Sequence, residues 1–200
     1  MKLCVLGGGG HAKVVIATAR SIGYAQISVY DDDPARRGEV LCGAPIVGAV
    51  DEVLDRADEL AVIAVGDNAT RHRLMSRARC ELATLVHARA CVDASATLGP
   101  GTVVFAGAVI QPDARLGAGV IVNTSCSIDH DCVIGDAAHL APGSHLAGTV
   151  TVGAGAFLGI GAVVVPGRRI GAWTRVGAGA VVVRDVDDGA TVVGVPARSR

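Results

Sequence analysis

Aromatic residues are scarce in this sequence, with two Phe, two Tyr and one Trp among 200 residues. Because half of the chain is nevertheless hydrophobic, its core must be filled by Val, Ile, Leu and Ala, which suits thin, regular layers. An excess of charge of one sign is also lacking. The net charge is −1 and no segment is rich in Lys or Arg, which excludes the basic surface of a nucleic-acid-binding protein.

Long hydrophobic runs and paired cysteines are missing as well. The apolar run from Leu3 to Leu6 stops at glycine and is too short for a membrane span or for the apolar region of a signal peptide. The six cysteines are scattered, with no CxxC pair and no disulfide-scaffold spacing. We therefore expect a cytoplasmic protein with reduced thiols and no membrane span. The low charge hints at surface buried in an oligomer.

A six-residue repeat runs from Val86 to Val182. Seventeen positions spaced six apart are all Val, Ile or Leu, and the residue four positions later is usually small. A period of six fits neither an α-helix nor a hairpin sheet. It fits triangular coils of three short parallel strands that stack roughly 4.8 Å apart. We predict a parallel β-helix of hexapeptide repeats over residues 86–200, tail included, because a β-sandwich would not keep one phase so long.

Residues 1–85 alternate between strand-like and helix-like segments. A short apolar run enters a helical stretch, GGGGHAKVVIATARSIG, and is followed by a β-prone ISVY. DEVLDRADE then reads as a helix, LAVIAV as a buried strand, and GDNATRHRLMSRA as a capped helix. This alternation predicts a small α/β domain of Rossmann-like type with a parallel sheet.

The first glycine turn and two later segments predict a ligand site in this domain. Residues 7–12 satisfy G-x-G-x-x-A, in which glycines let the backbone approach a ligand and the helix N-terminus favours an anion. Asp31 and Asp32 can accept from a hydroxyl or an imide, and Gly66-Asp67-Asn68 follows another strand. The domain is about half a dinucleotide fold, so a nucleotide or nucleotide-sugar is favoured over NAD. The alternative is that the four glycines form only a tight turn.

The segment NTSCSIDHDCVIG, residues 123–135, contains the candidate base. Histidine titrates near neutrality, and an adjacent carboxylate raises its basicity and selects its tautomer, so His130 with Asp131 suits general base catalysis. Cys126 and Cys132 fall in the small inward phase of the repeat, which favours core packing over metal binding.

Two other interpretations of His130 remain open. An intersubunit zinc site could combine His130, His139 and His145, as three histidines do in the γ-class carbonic anhydrases. Alternatively, His130 is a solvent-facing residue without chemistry. We expect no metal, because residues eighteen apart stack in a triangular coil, and Pro112 and Gly148, not histidines, stand eighteen from His130.

Several motifs together resemble one family over nearly the whole chain. They are GGGGHAKVV, DDDP, VGDN, NTSCSIDHDCVIGDAAHLAPG and GVPAR. The sequence resembles the bacterial PglD-type UDP-4-amino-sugar N-acetyltransferases, with NeuD-type sialic acid O-acetyltransferases as relatives. This resemblance implies a left-handed β-helix, acetyl-CoA as co-substrate, and a homotrimer with CoA bound between neighbouring β-helices.

The resemblance also implies roles for individual residues. The general base falls on His130, and its acidic helper, usually Glu in the family, falls on Asp131, which keeps the charge but shortens the reach. Contacts with acetyl-CoA fall on Asn123, His139, Ile160, Gly177 and Ala178. Contacts with the nucleotide-sugar fall on Gly9, Gly10, His11, Asp31, Asp32, Gly66 and Asp67.

The function expected is N-acetylation of the 4-amino group of a nucleotide-linked sugar in glycan biosynthesis, by direct transfer without a covalent enzyme intermediate. One alternative is O-acetylation of sialic acid or a related sugar on the same scaffold. Others, from different classes, are a non-catalytic nucleotide-sugar-binding protein and a zinc hydratase. The sequence leaves open whether the nucleotide is UDP, dTDP or GDP.

Overall fold

A six-stranded sheet with three α-helices forms the N-terminal part of the computed structural model, which describes residues 2–200. Its strands are β1 (Lys2–Leu6), β2 (Gln26–Tyr30), β3 (Val40–Leu41), β4 (Ala44–Gly48), β5 (Leu60–Ile63) and β6 (Glu81–Leu82). Its helices are α1 (Gly10–Ser21), α2 (Asp51–Leu54) and α3 (Asn68–Arg77), with a 3-10 turn at Pro34–Arg36. The order is β3-β4-β2-β1-β5-β6, and only β3 runs antiparallel to its neighbour. The predicted parallel α/β domain is confirmed.

Helix α2 is shorter than the nine residues predicted for it. It ends at Leu54, whose carbonyl oxygen accepts hydrogen bonds from the amides of Arg79, at 2.7 Å, and Cys80, at 3.3 Å. The helix buries Val53 and Leu54 completely, but residues 55–59 offer only one small apolar side chain for a continued apolar face. Without such a face, a further helical turn gains little from packing.

Each of the seventeen repeat positions lies in a strand of its own as that strand's second residue. The strands are β7 (Leu85–Val86), β8 (Cys91–Val92), β9 (Thr97–Leu98), β10 (Val103–Val104), β11 (Val109–Ile110), β12 (Arg115–Leu116), β13 (Ile121–Val122), β14 (Ser127–Ile128), β15 (Val133–Ile134), β16 (His139–Leu140), β17 (His145–Leu146), β18 (Thr151–Val152), β19 (Phe157–Leu158), β20 (Val163–Val164), β21 (Arg169–Ile170), β22 (Arg175–Val176) and β23 (Val181–Val182). Two further strands, β24 (Thr191–Val193) and β25 (Arg198–Ser199), belong to the tail.

These strands stack into three parallel sheets, which form the faces of a β-helix. The first face contains β7, β10, β13, β16, β19 and β22 and is extended by β24, which is parallel to β22, and by β25, which is antiparallel to β24. The second face contains β8, β11, β14, β17, β20 and β23, and the third contains β9, β12, β15, β18 and β21. Paired residues differ by eighteen, as in Ile121 with His139. The predicted hexapeptide β-helix is therefore confirmed.

The interior of the β-helix is filled by the repeat positions and by the small residues four positions later. Cys126 and Cys132 are both fully buried there, which confirms that they are core residues. Burial raises the pKa of the Cys126 thiol to about 12, so this thiol stays protonated. Arg168 stands at one of the small positions, and its guanidinium turns outward to within 3.7 Å of Asp185.

Every corner from residue 101 to residue 179 places its third residue after the repeat position in the left-handed region of φ. Eight of these fourteen residues are glycines, and the others are Asp113, Ser125, Asp131, Ala137, Thr149 and Trp173. Left-handed backbone is uncommon for residues other than glycine, although Asp tolerates it better than most. The corner geometry therefore dictates the backbone of Asp131, beside the candidate base.

The α/β domain covers the lower coils of the first face. Leu85, Val103, Phe105 and Ile121 belong to the same buried cluster as the apolar residues of α1 and the parallel sheet. The two parts of the chain thus share one hydrophobic core. Among residues 2–200, no helix has the length and hydropathy needed to cross a membrane.

Candidate active site

His130 and Asp131, the corner pair, occupy the corner between the second and third faces. Nδ1 of His130 lies 2.8 Å from Oδ2 of Asp131, and both side chains are more than half exposed. This hydrogen bond, with the nearby charge of Asp129, raises the pKa of the imidazole above its ordinary value. Because a carboxylate only accepts, the neutral imidazole carries its proton on Nδ1 and offers the lone pair of Nε2.

The backbone under the corner pair is held on both sides. The amide of Asp131 donates to the carbonyl of Pro112 at 3.1 Å, and the carbonyl of His130 accepts from Thr149 at 2.9 Å. The His130 amide donates to Oδ1 of Asp129 at 2.8 Å. The imidazole therefore projects from a rigid scaffold.

Gly148 stands one coil after His130, where it leaves room for the imidazole. A Cβ atom at position 148 would lie 2.5 Å from Nε2 and 2.6 Å from Cε1 of His130. These distances are too short for non-bonded contact, so a larger residue would displace the ring. Gly148 therefore keeps clear the nitrogen that can accept a proton.

A second group of polar residues, the junction cluster, lies where the α/β domain meets the first face: His11, Arg71, Asn123 and His139. The centroids of His11 and His139 are 6.2 Å apart, and His139 meets Phe157 edge to face at 5.2 Å. Burial, reinforced by the charge of Arg71, lowers the pKa of each histidine to about 4. Both histidines are therefore neutral at pH 7.

Hydrogen bonds select the tautomer of His139. The amide of Thr124 donates to Oδ1 of Asn123 at 2.8 Å, so the Asn123 NH₂ group faces Nε2 of His139 at 3.3 Å. Nε2 must then accept, and Nδ1 carries the proton toward the carbonyl of Gly66, at 3.4 Å. Nε2 of His11 is buried without a hydrogen-bond partner among residues 2–200.

Arg71 fastens helix α3 to the β-helix. It is only 1% exposed and donates to the carbonyl oxygens of Gly119 at 2.8 Å, Ala137 at 2.6 Å and Val65 at 2.9 Å. Asn68 accepts from it at 2.9 Å and donates to the carbonyls of coil residues 155 and 156. Backbone oxygens, rather than a carboxylate, satisfy this buried cation.

The glycine turn leaves open space at two of its predicted ligand contacts. Nothing lies within 4 Å of where a Cβ of Gly9 or Gly10 would be, so a ligand can approach the backbone there. Asp31 has its carboxylate engaged, because it accepts from the amide of Gly8 at 2.7 Å and from Arg36 at 3.3 Å. It thereby orients the turn.

The other predicted contacts of this domain also lie at the carboxyl ends of its strands. Asp32 accepts from the amide of Val50 at 3.0 Å. Asp67 caps α3 by accepting from Thr70 at 2.8 Å, and this hydrogen bond keeps the pKa of its carboxyl below the ordinary value. Gly66 borders the junction cluster through its carbonyl oxygen.

The residues predicted to contact CoA lie at another corner, between the first and second faces. Ile160 is 62% exposed, and Ala178, one coil further on, is exposed as well. Gly177 also has a packing role, since a Cβ there would lie 2.7 Å from Val193 of the tail. Two exposed apolar residues on stacked coils form a surface that suits the pantetheine chain.

The three histidines considered for zinc lie apart within one chain. His130 occupies the corner between the second and third faces, His139 faces the α/β domain, and His145 lies on the second face, 2.8 Å from Oγ of Ser127. Among residues 2–200 there is no group of three or more His, Cys, Asp or Glu that could hold a metal ion.

Comparison with known proteins places this arrangement in the class of CoA-dependent acyltransferases with hexapeptide repeats. A family model described as the PglD N-terminal domain matches residues 2–78. Perosamine N-acetyltransferase from Caulobacter crescentus, solved with CoA and GDP-perosamine, is 43% identical, with a TM-score of 0.93 over 100% of this chain and 97% of that chain. A variant of that enzyme with one histidine replaced by asparagine is 42% identical, with a TM-score of 0.94.

Two further solved structures are similar. The acetyltransferase domain of PglB from Neisseria gonorrhoeae is 38% identical, with a TM-score of 0.94 over 100% of this chain and 99% of that chain. WeeI from Acinetobacter baumannii is 28% identical, with a TM-score of 0.90 over the full length of both chains. The search of curated protein sequences returned no match. The chain belongs to the family of PglD-type sugar N-acetyltransferases.

Some features of the site were not predicted from the sequence. Arginine is rarely buried without a carboxylate, so nothing in the local pattern distinguishes Arg71 from the exposed arginines of α3. The stacking of Gly148 on His130 follows from the repeat. That Gly148 leaves room for the imidazole could not be predicted, because this depends on the side-chain conformation of His130. A cleft lined by Phe157, Trp173 and Arg175 was also missed, because its walls come from separate coils.

Proposed function

We propose that this protein transfers the acetyl group of acetyl-CoA to the 4-amino group of a nucleotide-linked amino sugar, with His130 as the general base and Asp131 as its helper. One observation carries this assignment. The imidazole of His130 is bonded through Nδ1 to Asp131, while Nε2 has no hydrogen-bond partner among residues 2–200 and lies over Gly148, where the missing side chain leaves it room. A histidine held in this way has its basic nitrogen available to a substrate.

The reaction needs one proton acceptor at the amine. As the neutral amine attacks the thioester carbonyl and the C–N bond forms, Nε2 of His130 takes a proton from the nitrogen. The carbonyl re-forms when the C–S bond breaks, and the imidazolium returns the proton to the departing CoA thiolate. The products are an amide and free CoA, and no covalent enzyme intermediate is formed.

The proposed CoA site runs along the first face. Asn123 and His139 would stand near its acetyl end, and Ile160, Gly177 and Ala178 along its pantetheine chain. The exposure of Ile160 supports this path, because an apolar side chain there gains from being covered. Similar enzymes have been solved with CoA or acetyl-CoA bound.

We also propose a homotrimer in which each active site combines two protomers. The corner pair and the junction cluster lie on different sides of the same β-helix, so one chain cannot bring His130 to the acetyl end of CoA near His139. A three-fold arrangement can set the corner of one β-helix against the first face of the next. The site is incomplete without this second copy.

The nucleotide is proposed to bind at the carboxyl ends of β1, β2 and β5, where Gly9, Gly10, His11, Asp31, Asp32, Gly66 and Asp67 lie. Open α/β sheets hold ligands at this edge. A guanosine nucleotide is the first to test, since a relative 43% identical was solved with GDP-perosamine. We place the reaction in the cytoplasm, which suits acetyl-CoA as donor and the six free cysteines.

The test is release of free CoA thiol from acetyl-CoA in the presence of GDP-, UDP- and dTDP-linked 4-amino sugars, with free sialic acid as a hydroxyl acceptor. We expect turnover with at least one 4-amino sugar and the mass of one added acetyl group on its nitrogen. Thiol release with sialic acid alone would replace N-acetylation by O-acetylation. Absence of turnover with every acceptor would contradict the proposal.

His130→Ala tests the base. We expect kcat to fall by about 10²–10⁴-fold, the usual contribution of a general base, with a small change in KM. His145→Ala is the matched control, because His145 is also an exposed histidine of the β-helix but bonds only to Ser127. Equal activity of the two variants would show that His130 is not the base.

A further inference from the structure

A cleft of about 230 Å³ opens between the α/β domain and the upper coils of the β-helix. One wall is residues 66–69, the loop that follows β5 and begins α3. The opposite wall is made by Phe157, Trp173 and Arg175, which belong to two successive coils. The function proposed above assigns no role to Phe157, Trp173 or Arg175.

The two polar groups of the cleft carry opposite charge. Oδ1 of Asp67 accepts from the Thr70 amide, and the carboxylate has further lone pairs that can accept from a ligand. Arg175 is exposed on β22, and no carboxylate among residues 2–200 lies within ion-pair distance of it. The Thr70 hydrogen bonds and the charges of Arg71 and Arg175 keep the pKa of the Asp67 carboxyl below its ordinary value. Asp67 and Arg175 both line the cleft. Together they can accept from hydroxyl groups and donate to hydroxyl or phosphate oxygens.

The two aromatic rings of the cleft are held in place. Trp173 lies over Gly155, where any added side chain would collide with the indole, and His72 packs edge-on against it at 5.6 Å. Phe157 is fixed by its edge-to-face contact with His139. The fixed aromatic rings offer an apolar surface, and the charged pair beside them offers hydrogen-bonding groups. This combination suits a sugar ring, which has an apolar C–H face and several hydroxyl groups.

Size and position limit what the cleft can hold. Pockets for drug-sized ligands span roughly 300–1,000 Å³, so this cleft suits a single ring rather than a whole nucleotide or CoA. It lies past the carboxyl end of β5, the same edge of the sheet that presents the glycine turn after β1. Phe157 joins its wall to the junction cluster, where the acetyl group is proposed to lie.

Resting on the function proposed above, we infer that this cleft is the binding site for the hexose of the nucleotide-sugar. Phe157 and Trp173 pack against the carbon face of the sugar. Arg175 bonds the hydroxyl groups of the sugar, opposite Asp67. These three residues of the β-helix thereby determine which sugar is accepted.

Calorimetry with GDP-perosamine and with GDP alone tests the inference on the oligomer as purified, using Trp173→Ala and Arg175→Gln. Loss of one charge-assisted hydrogen bond weakens binding by about tenfold or more. We expect this loss for GDP-perosamine in Arg175→Gln, and about tenfold weaker binding in Trp173→Ala, which loses the apolar area of the indole ring. Binding of GDP should change by less than about twofold in both variants. Arg73→Gln, an exposed arginine of α3 outside the cleft, is the control and should bind both ligands as the wild type does.

Each contrary outcome overturns the inference in a distinct way. If GDP binding is weakened as much as GDP-perosamine binding, the cleft holds the nucleotide. If both variants bind both ligands as the wild type does, the cleft does not bind the sugar. If instead the KM of acetyl-CoA rises while acceptor binding is unchanged, the cleft belongs to CoA. Because these binding measurements do not need turnover, they separate failure of the hexose site from failure of the proposed acetyl transfer.

Discussion

His130 and His139 occupy opposite environments in the same β-helix. His130 projects from a corner into solvent, where Asp131 raises its pKa. His139 lies under the α/β domain, where burial and the charge of Arg71 lower its pKa to about 4. The hydrogen bond to Asp131 favours uptake of a proton by His130, whereas His139 remains neutral at pH 7 and can only orient other groups.

The difference arises from what covers each side of the coil. No other part of the chain covers the corner, so the histidine there remains solvated and can gain or lose a proton. Its backbone is nevertheless held rigidly by the neighbouring coils. The first face is covered by a domain that brings Arg71 with it, and a positive charge near a buried imidazole disfavours a second one. In the proposed mechanism, base chemistry therefore belongs to the uncovered corner, and the junction residues position the ligands.

Arg71→Leu should cause the largest loss of stability, by weakening the junction between the α/β domain and the β-helix and leaving the corner pair unchanged. The substitution leaves the carbonyl oxygens of Gly119, Ala137 and Val65 without a donor, and each buried unsatisfied group costs about 1–3 kcal/mol. We expect the free energy of unfolding in denaturant to fall by about 3 kcal/mol or more. Arg73→Leu, on the exposed side of the same helix, should change it by less than about 0.5 kcal/mol. Similar values for both variants would mean that Arg71 does not hold the domains together.

Gly148→Ala should damage the corner without touching the junction. The added methyl group would lie 2.5 Å from Nε2 of His130, and an exposed ring can turn away at small cost to folding. We expect kcat to fall about ten- to a hundredfold, because a displaced base loses its alignment, while the thermal midpoint stays nearly unchanged.

A double-mutant cycle checks this mechanism. If Gly148 acts only by leaving room for the imidazole, adding Gly148→Ala to His130→Ala should cost no further activity. A further loss of the same size as in the single variant would show that residue 148 acts independently of His130.

The regular part of the molecule was predictable from the sequence, and the reason is geometric. One inward residue in six determines a whole strand, so the positions from Val86 to Val182 predicted all seventeen strands of the repeat. The left-handed φ angles at the corners were not predicted. Several of these corner residues, such as Asp131 and Trp173, are not glycine, and residues other than glycine rarely adopt positive φ.

The residues of the candidate site were named from the sequence mainly through family resemblance, and their roles stay predictions. The pairing of His130 with Asp131 could be expected from their adjacency, but no local pattern indicates that His11 and His139 meet. Their contact joins residues that are 128 positions apart (139 − 11), across two different folds. Arg71 is buried because the α/β domain packs against the β-helix. Neither the six-residue repeat nor the composition predicts this packing.

Acid should destabilise the junction through its buried histidines, and His139→Phe tests this. In the folded protein the pKa of His139 is about 4, below its ordinary value of 6.5, so the unfolded chain binds more protons between these values. Stability is therefore lost as the pH falls through that window. From pH 7 to pH 5 the loss from His139 amounts to about 2 kcal/mol.

The phenylalanine variant lacks this titration and should lose about 2 kcal/mol less than the wild type between pH 7 and pH 5, as measured by denaturant unfolding. His145→Phe removes an exposed histidine and should reproduce the acid sensitivity of the wild type. If His139→Phe is as acid-sensitive as the wild type, His139 is not the residue that couples protonation to folding.

Asp131→Asn should have the smallest effect and should act on the corner through pH. Asp131 raises the pKa of His130, and the base must be neutral to work, so activity rises with pH as the imidazolium loses its proton. Removing the carboxylate charge lowers that pKa, which moves the acid limb of the kcat profile to lower pH. Because a weaker base transfers the proton less well, the plateau should fall about three- to tenfold. The same plateau with an unmoved acid limb would contradict the role of Asp131, whereas Asp131→Glu should retain the wild-type limb.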